Sequence, residues 1–152
     1  MTRPGYQHGR IMARVIHLLQ SYLDANELGT VVGGDPGVIT HRNPDTVRGP
    51  DVAYYSYQRL PRGEDPVKYP AMSPELVFEV KSPEERWKAL MNKVGDYLNA
   101  DVALVCVLDP IATTVQLYRP DEPVRLYAPD DEVSFAPVLP DWRVVTRRFF
   151  SL

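Results

Sequence analysis

The chain has 152 residues, 44% of them hydrophobic, and a formal net charge of -3. This length and apolar content predict a single globular domain over residues 1–152 and exclude a disordered tail. The negative net charge argues against a protein that coats nucleic acid without specificity, because phosphate neutralisation needs clustered lysine and arginine.

Cysteine usage and the apolar runs predict the compartment. The single cysteine, Cys106, lies within the apolar run 102–108, where we expect a buried and inert thiol. With one cysteine no disulfide framework can form, which suits a reducing cytoplasm. Residues 1–10 lack the apolar core of a signal peptide, and no apolar run approaches the length of a membrane span. We therefore expect a cytoplasmic protein without membrane contact.

The first predicted element is an amphipathic helix over residues 8–23, where apolar residues recur at three- and four-residue spacing. Two short strands at 31–32 and 38–39 follow, joined by a glycine-rich turn in which Asp35 is expected to be an ordinary turn residue. A third strand is predicted over residues 51–57, directly after a proline whose missing N–H does no harm at that position.

A long polar segment, residues 58–75, contains four prolines and is predicted to lack regular structure. Loops of this length are uncommon in compact domains unless they are functional or disordered. The apolar run 76–81 is predicted as a strand, and a helix is predicted from a Ser82 N-cap to about Asn99. Later strands are expected at residues 102–108, 113–118, 124–127 and 143–146. The pattern predicts a mixed α/β domain: a helix packed on a central sheet of four or five strands, a second helix, and a C-terminal β extension.

Two of these strands carry the residues with the clearest chemistry. Side chains alternate along a strand, so Glu79 and Lys81 project on the same side, while Asp51 opens the neighbouring strand. Asp51, Glu79 and the Val80 carbonyl are oxygen ligands of the kind that Mg²⁺ takes in proteins. Lys81 would orient the attacking water, and a site of this composition hydrolyses phosphodiesters. On the motif alone, an ordinary surface ion pair is the commoner explanation.

Three further residues could complete the site: Lys93 as a second catalytic lysine, with Tyr97 and His8 in supporting roles. Lys93 and Tyr97 lie one turn apart on the second predicted helix and could act together, although a lysine stem and a tyrosine packed on the sheet would show the same pattern. We expect Lys81 to lie nearer the carboxylates, because it shares a strand face with Glu79, and Lys93 to reach in from the helix edge. His8 either approaches the site or is a hydrogen-bonded structural residue at the helix start.

Basic residues and tyrosines are interspersed in the loops beside the predicted site. Such a mixture could contact phosphates and stack on bases. Solvated loop charges are the default explanation, and Glu64 and Asp65 dilute the basic character. The candidates for DNA contact are Arg48, Arg59, Arg62 and Lys68.

A series of motifs extends over nearly the whole chain. It includes RGPDVAYYS at 48–56, QRLP at 58–61, PELVFEVKSP at 74–83, Lys93 four residues before Tyr97, the run 104–110 ending in Asp-Pro, VLPDW at 138–142, and the phenylalanines at 149 and 150. In this order the motifs resemble the Uma-type restriction endonuclease family, within the PD-(D/E)XK nuclease superfamily.

The resemblance implies a restriction-endonuclease-like core with helix, sheet and helix layers. It also implies metal-binding roles for Asp51 and Glu79 and a catalytic lysine role for Lys81. Family members often carry another residue at the position of Lys81, which leaves the helix lysine, here Lys93, as the charge donor. The division of labour between the two lysines therefore stays open.

The function that follows from the resemblance is metal-dependent hydrolysis of DNA by an endonuclease with Mg²⁺ or Mn²⁺ as cofactor. The alternative, from another class, is a catalytically silent module that binds nucleic acid or protein on the same fold. Such a module has no need for Asp51 and Glu79 to chelate a metal. A homodimer is expected by analogy with the superfamily, with exposed Phe149 and Phe150 available to form its interface.

Overall fold

A long amphipathic helix, α1 (Tyr6–Ala25), opens the computed structural model, which describes residues 3–152. The first two residues of the predicted domain lie outside this described range. Helix α1 turns one apolar face inward, as the three- and four-residue spacing predicts. The buried side chains of that face are Ile11, Val15, Leu18, Leu19 and Leu23. Within the described range, no helix combines the length and the apolar character that crossing a membrane requires.

Ten strands and a second helix follow within residues 3–152. The strands are β1 (Gly29–Gly33), β2 (Val38–His41), β3 (Thr46–Arg48), β4 (Val52–Ser56), β5 (Leu76–Val80), β6 (Leu104–Asp109), β7 (Thr114–Tyr118), β8 (Arg125–Tyr127), β9 (Glu132–Ser134) and β10 (Arg143–Val145). Helix α2 spans Trp87–Asn99 between β5 and β6, and a 3₁₀ helix, Thr146–Phe149, follows β10.

The central sheet is mixed and has six strands in the order β1-β4-β5-β6-β7-β8. Strands β5 and β6 are parallel and are joined by α2, whereas every other neighbouring pair in this sheet is antiparallel. Helix α1 covers one face and α2 the other, which gives the predicted helix, sheet and helix layers. The sheet has six strands instead of the four or five expected, because β1 and β8 pair at its two edges.

The two strands predicted at 31–32 and 38–39 exist but do not pair with each other. Strand β1 pairs antiparallel with β4, so that Val31 lies opposite Tyr54, while β2 pairs with β3. Pairing with β4 adds β1 to the central sheet and packs Val31 against the core beneath α1. A separate hairpin of β1 with β2 would leave that part of the core uncovered. The turn between β1 and β2 includes Asp35, which has a left-handed backbone with φ of 56°.

Helix α2 begins later than the sequence predicts. Its first residue is Trp87, and the preceding Arg86 makes no side-chain capping hydrogen bond. Ser82 is not the N-cap, because the Glu85 N–H donates to the Ser82 carbonyl at 3.1 Å and closes a separate turn. This turn places the Glu85 side chain beside the end of β5 instead of in the first turn of α2.

The core beneath α1 ends in an aromatic cluster built with the C-terminal strands. The four rings pack with centroids 4.4 to 6.4 Å apart and belong to Phe78, Phe135, Trp142 and Phe149. Phe149 is fully buried, so the expectation that it is exposed for a dimer interface is wrong. Phe149 lies in the 3₁₀ helix, and its ring packs inward against Phe78 in the aromatic cluster.

We expect Phe149→Ala to lower the free energy of unfolding by about 3 to 5 kcal/mol, the usual cost of emptying a buried phenylalanine site. Denaturant unfolding measures this, and Ile111→Ala is the control because the Ile111 side chain is 79% exposed. A Phe149→Ala protein as stable as wild type, with a changed oligomeric mass, would mean that the ring serves an interface after all.

The opposite face of the sheet packs against α2. Its buried contacts come from Val77, Leu90, Val94, Tyr97 and Val105. Cys106 points to the α1 side and is fully buried, and burial raises the pKa of its thiol well above the usual range. The burial of Cys106 and the raised pKa of its thiol agree with the inert thiol that the sequence predicts.

The long connection between β4 and β5 is held at its base by one arginine. Residues 57–75, all within the described range, contain turns and bends but no helix or strand, as predicted. The Arg59 Nη1 donates to the carbonyls of Ser73, Pro74 and Asp101 at 3.1, 3.3 and 2.7 Å. The loop is therefore closed at its two ends while its middle, including Lys68, is exposed.

Candidate active site

The register between β4 and β5 brings two buried carboxylates together. Val52 lies opposite Phe78, so one further step along the antiparallel ladder places Asp51 opposite Glu79. The Asp51 N–H donates to the Phe78 carbonyl at 3.1 Å, which continues the pairing beyond the last strand residue. Directly opposed residues have Cβ atoms about 5 Å apart. Asp51 is 6% and Glu79 is 3% exposed, so both acids lie inside the protein.

Asp51 is fixed from two sides through one oxygen. Its Oδ2 accepts a hydrogen bond of 2.7 Å from the Val80 backbone N–H. The same oxygen lies 3.1 Å from Nε2 of His8, which comes from the first turns of α1. The hydrogen bond to Asp51, together with the charges of Asp51, Glu79 and Asp35, raises the pKa of His8 above its usual value in spite of burial. His8 thus reaches the site, the first of the two possibilities that the sequence leaves open.

Glu79 is held by the tyrosine of α2 and sits in an unfavourable place for a negative charge. The Tyr97 hydroxyl donates to Glu79 Oε1 at 2.7 Å. Burial and the neighbouring charge of Asp51 raise the pKa of Glu79 to about 8, although Lys93 and the Tyr97 hydrogen bond act in the opposite direction. Burial beside a second acid therefore favours the protonated form of Glu79, and a bound cation would favour the charged form.

Of the two candidate lysines, Lys93 reaches in from the edge of α2, as the sequence led us to expect. Lys93 Nζ donates to Glu85 Oε2 at 2.8 Å, and its charge is close enough to act on Glu79. Burial lowers the pKa of Lys93, but the hydrogen bond to Glu85 and the charges of the surrounding acids outweigh this and raise it. Lys93 is thus the ammonium group beside the carboxylates.

Lys81 turns away from the carboxylates. Its Nζ donates to the Ser82 carbonyl at 3.3 Å and lies 5.3 Å from the centre of the Trp87 ring. Strand β5 ends at Val80, and although the Lys81 N–H still donates to the Leu108 carbonyl at 2.9 Å, the side-chain contacts of Lys81 lie in the segment that leads to α2. The expectation that Lys81 is the nearer lysine is not met in this structure.

Two acids that sequence reasoning treated as structural also lie at the site. Glu85 pairs with Lys93, and its charge contributes to the raised pKa of Glu79. Asp35 also lies near Asp51. Burial and the charge of Asp51 both raise the pKa of Asp35. The position of Glu85 depends on the turn before α2, and that of Asp35 on the pairing of β1 with β4. The sequence carries no clear signal for either feature.

Most of the basic residues predicted to contact DNA have partners within the protein. Arg48 pairs with Asp96 at 2.6 Å, and Arg59 anchors the long loop. Arg62 lies 3.4 Å from Glu27 and 4.8 Å from the centre of the Tyr57 ring. Lys68 is exposed in the middle of the loop. DNA contact by any of the four, Arg48, Arg59, Arg62 and Lys68, stays a prediction.

The donor set suits a hard divalent cation that keeps part of its water. Within residues 3–152 no three His, Cys, Asp or Glu side chains form a ready metal cage. Mg²⁺ is usually bound through one or two carboxylates, with waters and substrate phosphate oxygens completing the shell. Asp51 and Glu79, with the Val80 carbonyl as a further candidate ligand, match that requirement.

We expect Glu79→Gln to stabilise the metal-free protein at pH 8 by at least about 1 kcal/mol. The folded protein binds the Glu79 proton more tightly than the unfolded chain does. This contribution to stability is fully present below the unfolded pKa of about 4.5 and is lost as the pH rises to about 8. The pKa of His8 is also raised, so its contribution to stability is likewise lost as the pH rises.

Denaturant unfolding between pH 4 and pH 9 without metal measures this effect. The wild type should lose stability with rising pH more steeply than Glu79→Gln, and the two proteins should be nearly equal at pH 4. Glu64→Gln, in the exposed loop, is the control and should follow the wild type. A variant that is less stable than wild type at pH 8 would show that the charged carboxylate supports the fold.

Comparisons with known proteins agree with this architecture. The model of the Uma2 family, described as "Putative restriction endonuclease", matches residues 1–147. A solved structure described as "a putative nuclease belonging to DUF820 from Anabaena variabilis ATCC 29413" is similar, with a TM-score of 0.85 and 18% sequence identity. The alignment covers 98% of this chain and 83% of that one. No curated protein sequence matches the chain. The structural likeness confirms the predicted fold class.

Proposed function

The chain belongs to the Uma2 family, and on that basis we propose that it is a divalent-metal-dependent nuclease that hydrolyses DNA phosphodiester bonds at Asp51 and Glu79. The observation that carries the proposal is the pair of buried carboxylates, Asp51 and Glu79, that face each other across neighbouring strands. Two buried acids in this position repel each other when both are charged, and a bound divalent cation would remove that cost.

Each residue of the site has a part in the proposed reaction. Asp51, Glu79 and the Val80 carbonyl would hold Mg²⁺ or Mn²⁺, and Tyr97 orients Glu79 through its hydroxyl. When bound, the ion neutralises charge on the phosphate and lowers the pKa of water. Lys93 offsets the charge that develops on the phosphate oxygens, since its ammonium group is already next to the acids.

The arrangement also explains how the site keeps its geometry. Asp51 and Glu79 are positioned by the backbone of β4 and β5, and the hydrogen bonds of Val80 and Tyr97 fix one oxygen of each. Rigid strands hold reacting groups more closely in place than loops do. The long loop 57–75 leaves its exposed middle free to approach a bound strand of DNA.

Cleavage of plasmid, short duplex and single-stranded DNA in the presence of Mn²⁺ or Mg²⁺ tests the proposal. Metal-dependent cleavage that EDTA abolishes, and that the double variant Asp51→Asn, Glu79→Gln lacks, would support it. The absence of cleavage of any DNA or RNA substrate, together with equal nucleic-acid binding by wild type and double variant, would favour a silent binding module.

A further inference from the structure

His8 makes a contact between two distant parts of the chain at the candidate active site. It lies in the first turns of α1, and its side chain is 12% exposed. Its Nε2 reaches Asp51 Oδ2 at 3.1 Å, across 43 positions of sequence. The contact ties the start of the helix to the carboxylate that precedes β4.

The carboxylate of Asp51 has two hydrogen-bond donors on the same oxygen. The Val80 N–H belongs to the backbone of β5 and therefore fixes where Oδ2 lies. A second donor from His8, on another element, restricts the rotation of the carboxylate about that point. Because the group is planar, holding Oδ2 from two directions also sets the direction of Oδ1. That oxygen is the one left to face a metal ion.

The other ring nitrogen of His8 has no partner. Nε2 must carry a proton to donate to the carboxylate, and Nδ1 is buried without a hydrogen bond to any residue in the described range 3–152. Buried polar side-chain atoms in folded proteins are nearly always paired. The single satisfied nitrogen is the one that contacts Asp51.

From these contacts we infer that His8 is a positioning residue, which holds the Asp51 carboxylate in the orientation that metal binding requires. The inference rests on the proposed function, because it assigns His8 a task at the same metal site. Groups that hydrogen-bond to a metal-ligating carboxylate orient it, and their removal typically weakens metal affinity by about 10- to 100-fold. His8 would act through Asp51 and not touch the substrate.

Calorimetric titration with Mn²⁺ of the wild type, His8→Ala and His8→Gln tests the inference. The glutamine amide nitrogen stands about as far along the side chain as Nε2 and can donate to Asp51, whereas alanine cannot. We expect His8→Ala to bind Mn²⁺ about 10- to 100-fold more weakly and His8→Gln to recover most of that loss. His17→Ala, on the exposed side of the same helix, is the control.

The outcomes separate the role of His8 from the proposed function. If the wild type binds Mn²⁺ and His8→Ala binds it equally well, His8 has no positioning role. If His8→Gln is as weak as His8→Ala, the ring itself is needed and the positioning role is wrong. A wild type that binds no Mn²⁺ contradicts the proposed function and, with it, this inference. Should His8→Ala fail to fold, His8→Phe, which fills the ring volume without a donor, replaces it in the comparison.

A spectroscopic readout is independent of metal. The ¹³C signal of the Asp51 carboxyl group should shift in His8→Ala and return toward the wild-type position in His8→Gln. An Asp51 signal that is the same in all three proteins would show that His8 does not hold the carboxylate.

Discussion

Replacing Glu79 by glutamine is expected to reduce the rate of metal-dependent DNA cleavage by about 100- to 1,000-fold, the scale of losing one preorganised charged group. Glutamine keeps the volume of the side chain and can still accept the Tyr97 hydrogen bond. It removes the negative charge that would bind the metal. Single-turnover cleavage of a plasmid with Mn²⁺ measures the loss.

The stability of the same variant makes this test specific. Because Glu79→Gln is expected to be at least as stable as wild type without metal, unfolding cannot explain a lost activity. Glu64→Gln is again the control, and its cleavage rate should equal that of wild type. A Glu79→Gln protein that cleaves DNA at the wild-type rate would remove Glu79 from the proposed mechanism.

Replacing Lys93 by alanine is expected to slow cleavage by about 100-fold, with a smaller effect for Lys81→Ala. The difference follows from geometry. The Lys93 ammonium lies beside Glu79 and Glu85, whereas Lys81 donates to the Ser82 carbonyl and lies near the Trp87 ring. This reverses the order expected from strand alternation alone, in which Lys81 shares a face with Glu79.

Single-turnover rates and DNA affinities of both lysine variants measure the comparison. A loss in rate with unchanged affinity identifies a group that acts in the transition state. Lys93→Arg keeps the charge but not the compact ammonium group, so a partial loss is expected for it. A larger loss for Lys81→Ala than for Lys93→Ala would show that the Lys81 side chain moves to the phosphate when DNA binds.

The sequence predicts the fold and the two carboxylates because both depend on local pattern. Alternation and apolar runs identify the strands that hold Asp51 and Glu79, and the antiparallel pairing of those strands brings the acids together. The helix spacing likewise predicts that Lys93 and Tyr97 lie one turn apart at one edge of the inner face of the second helix. In each case the period of the element decides which way the side chain faces.

The predictions that failed concern residues whose positions depend on tertiary contacts. The short turn at Ser82 moves the start of α2 and places Glu85 next to Lys93, although Ser-Pro-Glu-Glu has the composition of a helix start. The pairing of β1 with β4, which a local turn pattern cannot reveal, brings Asp35 to the site. Phe149 is buried because the aromatic cluster closes over it, and nothing local in the sequence distinguishes that state from exposure.

The most direct test of the proposed function is a crystal of the protein soaked in Mn²⁺ and measured at a wavelength that gives an anomalous signal from manganese. We expect one anomalous peak between Asp51 and Glu79, within about 2.0 to 2.4 Å of an oxygen of each, the range for hard divalent ions. The peak should be absent from crystals of Glu79→Gln soaked in the same way. Wild-type crystals without a peak at these two carboxylates, or with manganese bound only elsewhere, would contradict the proposed metal-dependent nuclease.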